Sequence, residues 1–140
     1  MKKVTVYLIA TIISSAEISM GQCNADGLAR SCIPKLAEGF NFLKGYKVDR
    51  ENNNDKVEYS YVFTTGTQYM VNLCVNGNTN DGVIVSLFDS SRNKVASSKV
   101  NNQFISALQY SCGATGIYYI QYTFEGNTSR CAGSALGFKR

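Results

Sequence analysis

The chain has 140 residues, of which 44% are hydrophobic and 17% are charged, and these values are typical of one globular domain. It contains no histidine, which excludes a Ser-His-Asp triad, a Cys-His dyad and an HExxH zinc site. The formal net charge is +4, but the basic residues are scattered and no run of five like charges occurs, so the sequence does not predict a nucleic-acid-binding surface.

Residues 1–21 have the pattern of a signal peptide. Two lysines stand near the start, and the apolar run 4–13 is too short for a membrane-spanning helix, which needs about 20 residues. Ser19 and Gly21 are small residues at the two positions that a signal peptidase recognises, so we expect cleavage before Gln22. The sequence therefore predicts a secreted protein, periplasmic or at the cell surface, with no membrane span.

Cys23 comes directly after the predicted cleavage position, which raises the alternative of a lipoprotein anchored through this residue. A lipidated cysteine normally follows a small residue, with a leucine-like residue two positions further upstream. Here Gln22 precedes Cys23, and Met20 stands at the third place before it. The lipoprotein is therefore the less favoured interpretation.

The next segment, 22–39, is predicted to be helical. Asn24 or Asp26 can cap the start of a helix, and Gly39 is well placed to end it. Pro34 should kink or split this helix, because a proline ring clashes with the carbonyl of the preceding turn. Helical spacing predicts that one face carries Leu28, Cys32, Ile33 and Leu36.

From residue 40 to residue 140 the apolar period is two, which is typical of β-strands. Short strands at roughly ten-residue spacing, separated by turns rich in glycine and asparagine, predict an all-β antiparallel sandwich or barrel of seven or eight strands. The predicted strands are 40–48, 57–64, 68–76, 83–89, 94–98, 104–112, 117–125 and 132–138. In 117–125, the residues predicted to face the core are Tyr118, Ile120, Tyr122 and Phe124.

Three stretches between Tyr61 and Phe124 carry a family likeness: YVFTTGTQYMVNL, VIVSLFDSSRNKVASS and ATGIYYIQYTF. Together they resemble the bacterial prepeptidase C-terminal type of domain, a small jelly-roll-like β-sandwich. The chain is also similar to small secreted proteins of Gram-negative bacteria with no assigned activity, through the short helix, the FNFLK segment and the TGIYYI strand. The resemblance implies a jelly-roll-like sandwich and an accessory or binding module rather than an enzyme.

Five cysteines in a secreted chain predict two disulfides and one cysteine left over. If the strands alternate in direction, the strand between Cys112 and Cys131 separates them by roughly 30 Å, too far for a bridge. By the same alternation Cys74 lies on the Cys131 side. We therefore expect Cys74 to pair with Cys131, and Cys112 to pair with Cys32 or Cys23 near the helix. A zinc site is disfavoured, since there is no CxxC pair, and a catalytic cysteine would have no histidine base.

The sequence predicts no catalytic, cofactor-binding or metal site. A small hydrolase would need two carboxylates facing each other across a cleft, and most of the carboxylates fall in turns or in the polar loop 49–56, where turn chemistry explains them. The segment NGNTNDG, which includes Asp81, could offer oxygen ligands to Ca²⁺ together with Asp89, but it lacks the acidic spacing and the closing glutamate of an EF-hand. The carboxylates considered are Asp26, Glu38, Asp49, Glu51, Asp55, Glu58, Asp81, Asp89 and Glu125.

The favoured function is a secreted, non-enzymatic β-sandwich that binds an unknown protein or polysaccharide at the cell envelope, or that builds an envelope assembly. The first alternative is a carbohydrate-binding module in which exposed tyrosines form a stacking platform, with Tyr59, Tyr61 and Tyr119 as candidates. The second alternative is the small carboxylate-dependent hydrolase. Coplanar exposed tyrosines would favour the first, and a concave pocket with two facing carboxylates would favour the second.

Overall fold

Ten strands and one short α-helix make up the described part of the chain, residues 23–49, 56–77, 82–125 and 131–140, in a computed structural model. The all-β prediction is confirmed, with ten strands instead of seven or eight. The predicted signal peptide and its cleavage site lie outside the described residues. The elements are α1 (Ala25–Cys32), a 3-10 turn (Ile33–Lys35), β1 (Asn41–Asp49), β2 (Lys56–Phe63), β3 (Gln68–Val75), β4 (Val83–Phe88), β5 (Lys94–Ser97), β6 (Lys99–Val100), β7 (Gln103–Phe104), β8 (Ala107–Ser111), β9 (Gly116–Phe124) and β10 (Cys131–Lys139).

The strands form two four-stranded antiparallel sheets that enclose one core. Sheet A has the order β1-β10-β3-β8, and sheet B has the order β2-β9-β4-β5. The additional strands arise because the predicted strand 104–112 is interrupted after β7, which pairs with β6 in a separate two-stranded ribbon. Among the described residues, no helix is both long enough and apolar enough to cross a membrane.

The inner faces of the two sheets are rich in aromatic residues. Tyr118, Ile120 and Tyr122 are buried, and Phe124 is partly buried against the same core, so the predicted inward face of β9 is confirmed. Phe63 is fully buried in the same cluster. Period-two alternation therefore predicts the core-facing residues of β9 correctly. A one-residue slip in register would turn this whole set towards solvent, and the structure shows no such slip.

The helix α1 begins close to the predicted position but ends earlier than predicted, at Cys32 instead of near Gly39. Asn24 is the cap, since its Oδ1 accepts a hydrogen bond from the backbone N–H of Gly27 at 3.1 Å. The α-helix stops at Cys32, and the chain continues through Pro34 as a 3-10 turn. The predicted split of the helix at Pro34 is confirmed. Proline is tolerated in the first turn of a helical segment but breaks the interior of a helix, so α1 ends before Pro34 and the 3-10 turn begins around it.

The buried face of α1 differs from the predicted one. It consists of Ala25, Ala29 and Cys32, whereas Leu28 is only partly buried. The physical reason is Gly133 in β10: a Cβ atom at this position would overlap the backbone of Ala29. The helix backbone therefore rests directly on the outer face of sheet A, and only small side chains fit between them.

Two disulfides bond α1 and the residue Cys23 just before it to sheet A. Cys23 is bonded to Cys131 with a Cα–Cα distance of 5.5 Å, and Cys32 is bonded to Cys74 with a Cα–Cα distance of 5.7 Å. Cys112 is free and buried. The predicted number of bridges is confirmed, but both predicted pairings, Cys74 with Cys131 and Cys112 with Cys32 or Cys23, are wrong.

The errors in pairing come from sheet geometry that the strand directions do not specify. Cys74 stands opposite Gly133, which makes Cys131 its diagonal neighbour, at about 7–8 Å and beyond the reach of a bridge. Cys112 belongs to the core cluster between the sheets, whereas Cys32 and Cys74 lie together on the helix side of sheet A. A bridge from Cys112 would have to pass through the sheet.

The disulfides also bear on where the protein resides. Disulfides form and persist in oxidising compartments, so the two bridges indicate a secreted or periplasmic protein. The sulfur of Cys23 is bonded to Cys131, which occupies the atom that a lipid anchor would need. This agrees with the lower preference given to a lipoprotein.

Candidate binding surfaces

Three turns lie together at one end of the sandwich. The strand register places the turns 64–67, 89–93 and 112–115 there, and backbone hydrogen bonds tie the first to the third. Gly66 donates from its N–H to the carbonyl of Cys112, and Cys112 donates to the carbonyl of Thr67, both at 3.0 Å. The first and third turns are therefore fixed to each other before any ligand arrives.

Side-chain hydrogen bonds also stabilise the turns at this end of the sandwich. The hydroxyl of Ser90 donates to the carbonyl of Ile117 at 2.8 Å, and Asp89 accepts from the backbone N–H groups of Ser91 and Asn93, both at 2.9 Å. The second turn is thus joined to β9 and closed on itself by an Asx turn. Asp89 is engaged in turn chemistry, as the sequence suggested, and the neighbouring candidate Ca²⁺ ligand Asp81 lies outside the described residues.

A cavity of about 350 Å³ opens between these turns, with Tyr110 and Tyr118 in its wall. The hydroxyl of Tyr118 donates to the carbonyl of Ala114 at 2.7 Å, and the thiol of Cys112 donates to the same carbonyl at 3.2 Å. The phenol and the thiol therefore support the 112–115 turn, and this arrangement gives them a structural role.

The outer face of sheet B carries an exposed apolar pair at the same end. Val62 and Ile117 stand directly opposite each other on β2 and β9, and they are 57% and 48% exposed. They line a shallow cavity of about 460 Å³ together with Ser60 and Tyr61. The two aliphatic side chains stand side by side and form a small exposed apolar surface.

An aromatic–cation stack continues this apolar pair. The guanidinium of Arg92 lies over the ring of Tyr119, with its carbon 3.6 Å from the ring centre, and donates a hydrogen bond to Glu58 at 2.6 Å. Arg92 is therefore fixed at two points by its neighbours. We call Val62, Ile117, Tyr119 and Arg92 the outer patch.

The three tyrosines proposed as a sugar platform do not lie together. Tyr59 and Tyr61 are on the inner side of β2 and pack against the core, and the hydroxyl of Tyr59 donates to the carbonyl of Lys47 at 2.5 Å. Tyr119 is on the outer face, where Arg92 covers its ring. Since a stacking platform needs open, coplanar rings, the arrangement does not favour the carbohydrate-binding alternative.

Several carboxylates hold elements of the fold together. Asp26 on α1 pairs with Lys47 on β1 at 3.1 Å, Glu58 on β2 pairs with Arg92, and Glu125 pairs with Lys99 at 2.8 Å. Within the ranges that the structure describes, no three Cys, Asp or Glu side chains come together as a metal site. The candidate carboxylates Glu51 and Asp55 lie outside the described residues.

Sequence reasoning missed the ribbon of β6 and β7. Asn101 and Asn102 connect its strands with φ of 51° and 61°. Val100 directly before this turn and Ile105 directly after β7 are exposed aliphatic residues. Both turn residues are left-handed, as in a two-residue type I′ turn, for which asparagine is well suited. A pair of asparagines flanked by short apolar stretches is the signal that could have revealed it.

Two buried tyrosine hydroxyls differ in their partners. Tyr122 donates to the hydroxyl of Ser134 at 2.7 Å, and Ser134 donates in turn to the carbonyl of Asn72. Within the described ranges, the hydroxyl of Tyr46 is buried with no hydrogen-bond partner. Burial raises the pKa of both phenols far above its ordinary value, and the neighbouring phenols of Tyr61 and Tyr59 raise the pKa of Tyr46 further, so both remain neutral.

This contrast gives a matched pair of variants. Tyr46→Phe should raise the free energy of unfolding by about 1 kcal/mol, because it removes a buried hydroxyl that has no partner. Tyr122→Phe should lower it by about 1 kcal/mol, because it breaks a satisfied network. Urea denaturation of both variants measures the difference. An equal loss in both would mean that an internal water satisfies Tyr46.

No family model matches the chain, and no curated protein matches it. Among solved structures, it is similar to Aeromonas hydrophila PliG, a periplasmic lysozyme inhibitor of g-type lysozyme, with a TM-score of 0.47 and 13% identity over 72% of this chain and 87% of that chain. A likeness of this size says nothing about what this chain binds. The resemblance to the prepeptidase C-terminal type of domain stays a prediction.

Proposed function

We propose that the chain is a secreted or periplasmic, non-enzymatic module that binds a protein through the outer patch. The observation that carries this proposal is the exposed Val62–Ile117 pair beside the Arg92–Tyr119 stack. Apolar side chains next to arginine and tyrosine are the composition of the energetic centres of protein interfaces.

The outer face of sheet A is covered and part of the outer face of sheet B is open, and this difference supports the same proposal. Sheet A is covered by α1, which contacts β10, β1 and β3, and disulfides from Cys32 in this helix and from Cys23 just before it bond the segment to the sheet. On sheet B, the end that carries Val62 and Ile117 is open. An apolar pair that the fold leaves uncovered is available to a partner without any rearrangement.

The patch is also preorganised. Glu58 and the ring of Tyr119 fix Arg92, and the hydroxyl of Ser90 fixes the neighbouring turn to the carbonyl of Ile117. Fixed side chains lose little conformational entropy on binding, so more of the contact energy remains as affinity. A protein partner is favoured over a polysaccharide, because Arg92 already occupies the ring face on which a sugar would stack.

Substitutions along one strand test this function. A photo-crosslinking residue at position 117 should capture a partner from the extracytoplasmic fraction of the cells that make the protein. With that partner purified, Ile117→Asp should weaken one-to-one binding by about tenfold or more. The control is Thr123→Asp, on the same face of β9 and roughly 20 Å away, which should leave the affinity within about twofold.

The proposal fails if Ile117→Asp binds the purified partner as the unchanged protein does. It also fails if no protein is captured at position 117, or if both variants weaken binding equally while their far-UV circular dichroism and melting temperatures match the unchanged protein. Calorimetric titration supplies the affinities, and the melting temperatures separate lost contacts from lost folding.

A further inference from the structure

Sheet B ends on one side at β2, and within the described ranges no strand pairs with the outer edge of β2. Every second residue of an edge strand directs its N–H and C=O away from the sheet, so about half of Lys56–Phe63 presents main-chain groups without a strand partner. A row of such donors and acceptors is complementary to another extended chain. The edge of β2 therefore specifies the kind of group that can cover it, which an apolar surface alone does not do.

The other three edges of the sandwich are protected. In β1 the register with β10 shifts between Phe42 and Lys44, and Lys44 and Lys47 lie along this strand. Bulges and lysines are among the devices by which natural sheets prevent a further strand from pairing. The strands β5 and β8 have only four and five residues, and they contact each other. These three edges therefore offer little to an added strand.

The edge strand β2 is long and regular by comparison. It has eight residues, none of which is glycine or proline, and its register with β9 continues from Lys56 to Phe63 without a shift. Its charged residues are Lys56 and Glu58, both in its first half, and Glu58 is paired with Arg92. An edge strand without a bulge or a proline is the kind to which another strand adds. The open part of this edge is thus its second half, residues 59–63.

Two cavities lie on opposite sides of the segment 59–63. The outer cavity, of about 460 Å³, lies beside Val62 and Ile117 on the outer face of sheet B. The inner cavity, of about 210 Å³, lies between β2 and sheet A, where Leu43 and Phe138 line it. Successive side chains of a strand point to opposite faces, so a strand beside this segment would direct them alternately to the two cavities. Both cavities would accept an apolar side chain.

We propose that the outer patch binds its partner by strand addition: an extended segment of the partner protein pairs with the edge of β2 along 59–63 and enlarges sheet B from four strands to five. This inference rests on the proposed function, because the added strand continues the row that Ile117 and Val62 form on the outer face. Main-chain hydrogen bonds supply affinity, and the two cavities select the side chains. The occupant is a segment with two consecutive apolar residues and no proline at the paired positions.

A second copy of this chain is a poorer occupant than a strand of another protein. Facing side chains of paired strands lie on the same side of a sheet, so an antiparallel pairing of two β2 strands over their full length would set Val62 against Lys56 or Glu58. Bringing the two Val62 side chains together instead would leave only residues 61–63 of each β2 paired. Neither arrangement combines a full row of hydrogen bonds with an apolar contact.

Random linear peptides of about eight residues are a probe that does not require an identified partner. Selection on the immobilised protein should yield peptides with two consecutive apolar residues. In the free protein, every second N–H of 57–63 should exchange rapidly with water, and a selected peptide should slow this exchange by about tenfold or more, measured by NMR. The control is the other edge of sheet B: the rapidly exchanging N–H groups of β5 should change by less than about twofold.

Main-chain substitutions at neighbouring positions give a matched pair of variants. Of the N–H groups of Ser60 and Tyr61, one is directed towards β9 and the other away from the sheet. Replacing the outward N–H by an ester oxygen, with the side chain retained, should weaken peptide binding by about fivefold to tenfold and leave the melting temperature unchanged. The same replacement at the other position should lower the melting temperature and leave the affinity within about twofold.

Strand addition is overturned if no peptide is selected, if the selected peptides leave the alternate N–H groups exchanging rapidly, or if neither ester weakens binding. Dimers in sedimentation with the same slowed exchange, in the absence of peptide, would assign the edge to a second copy and also overturn it. Capture at position 117 tests the proposed function separately. A captured protein that depends on Ile117 but leaves β2 exchanging rapidly would preserve the outer patch and overturn strand addition. Slowed exchange with peptide but no captured protein would support strand addition and overturn the proposed function.

Discussion

Replacing Cys23 and Cys131 together by serine should lower the free energy of unfolding by about 4–5 kcal/mol. The bond closes a loop with a sequence separation of 108, and in the chain-entropy description a longer loop in the unfolded state gives a larger stabilisation. Removing Cys32 and Cys74 should cost about 4 kcal/mol, because their separation is 42. Urea denaturation monitored by circular dichroism measures both losses.

The control for the disulfide variants is Cys112→Ala. This residue is buried but unbonded, so its loss should cost about 1 kcal/mol and leave both disulfides intact by mass spectrometry. If the variant without Cys23 and Cys131 is no less stable than Cys112→Ala, the first disulfide does not contribute the stability expected from its loop.

The second large effect is expected in the core. Phe63→Ala should lower the free energy of unfolding by about 3–5 kcal/mol. Phe63 is fully buried and stacks between Tyr69, with ring centres 3.8 Å apart, and Tyr118, with ring centres 4.8 Å apart. Truncation would leave both neighbouring rings facing a cavity and would remove two aromatic contacts. Chemical denaturation measures the loss.

The adjacent residue is the control for Phe63. Val62→Ala changes a side chain that is 57% exposed, and the free energy of unfolding should change by less than about 0.5 kcal/mol. The same variant should weaken binding at the outer patch. Position 63 would then affect mainly stability, and position 62 mainly binding. If Val62→Ala proved the more destabilising of the two, β2 would be shifted by one residue and its faces exchanged.

Much of the fold could be predicted because successive side chains of a β-strand point to opposite faces, so a buried face appears in the sequence as every second residue. In β9, Tyr118, Ile120 and Tyr122 alternate with Tyr119 and Gln121, and all three are buried. The same rule applied to β2 would have placed Tyr59 and Tyr61 inside, since Glu58 and Ser60 alternate with them. Both tyrosines are partly buried against the core, so their positions do not favour a sugar-binding platform, which stays a prediction.

The disulfide pairings could not be derived in this way. Strand direction correctly brought Cys74 and Cys131 to one end of sheet A, but a bridge also requires Cα atoms within about 7 Å of each other, and Cys131 is only the diagonal neighbour of Cys74. Their actual partners are Cys32, at the end of α1, and Cys23, just before this helix, and the position of α1 depends on the absence of a side chain at Gly133. That contact is a property of the assembled structure.

The outer patch was also hidden from sequence reasoning. Val62 and Ile117 are ordinary strand residues by composition, and only the pairing of β2 with β9 places them side by side. Arg92 comes from a turn, and its position over Tyr119 depends on the packing of that turn against sheet B. Sites assembled from separate elements leave little trace in a single sequence.

The bond between Cys23 and Cys131 imposes an order on the maturation of the protein. In a chain exported from its N-terminus, Cys23 emerges early, whereas its native partner emerges only with the last strand. Cys32, nine residues further on, is the first thiol that Cys23 meets. Efficient maturation therefore depends on keeping Cys23 reduced or on reshuffling an early wrong bond, and a disulfide isomerase should accelerate the appearance of the native protein.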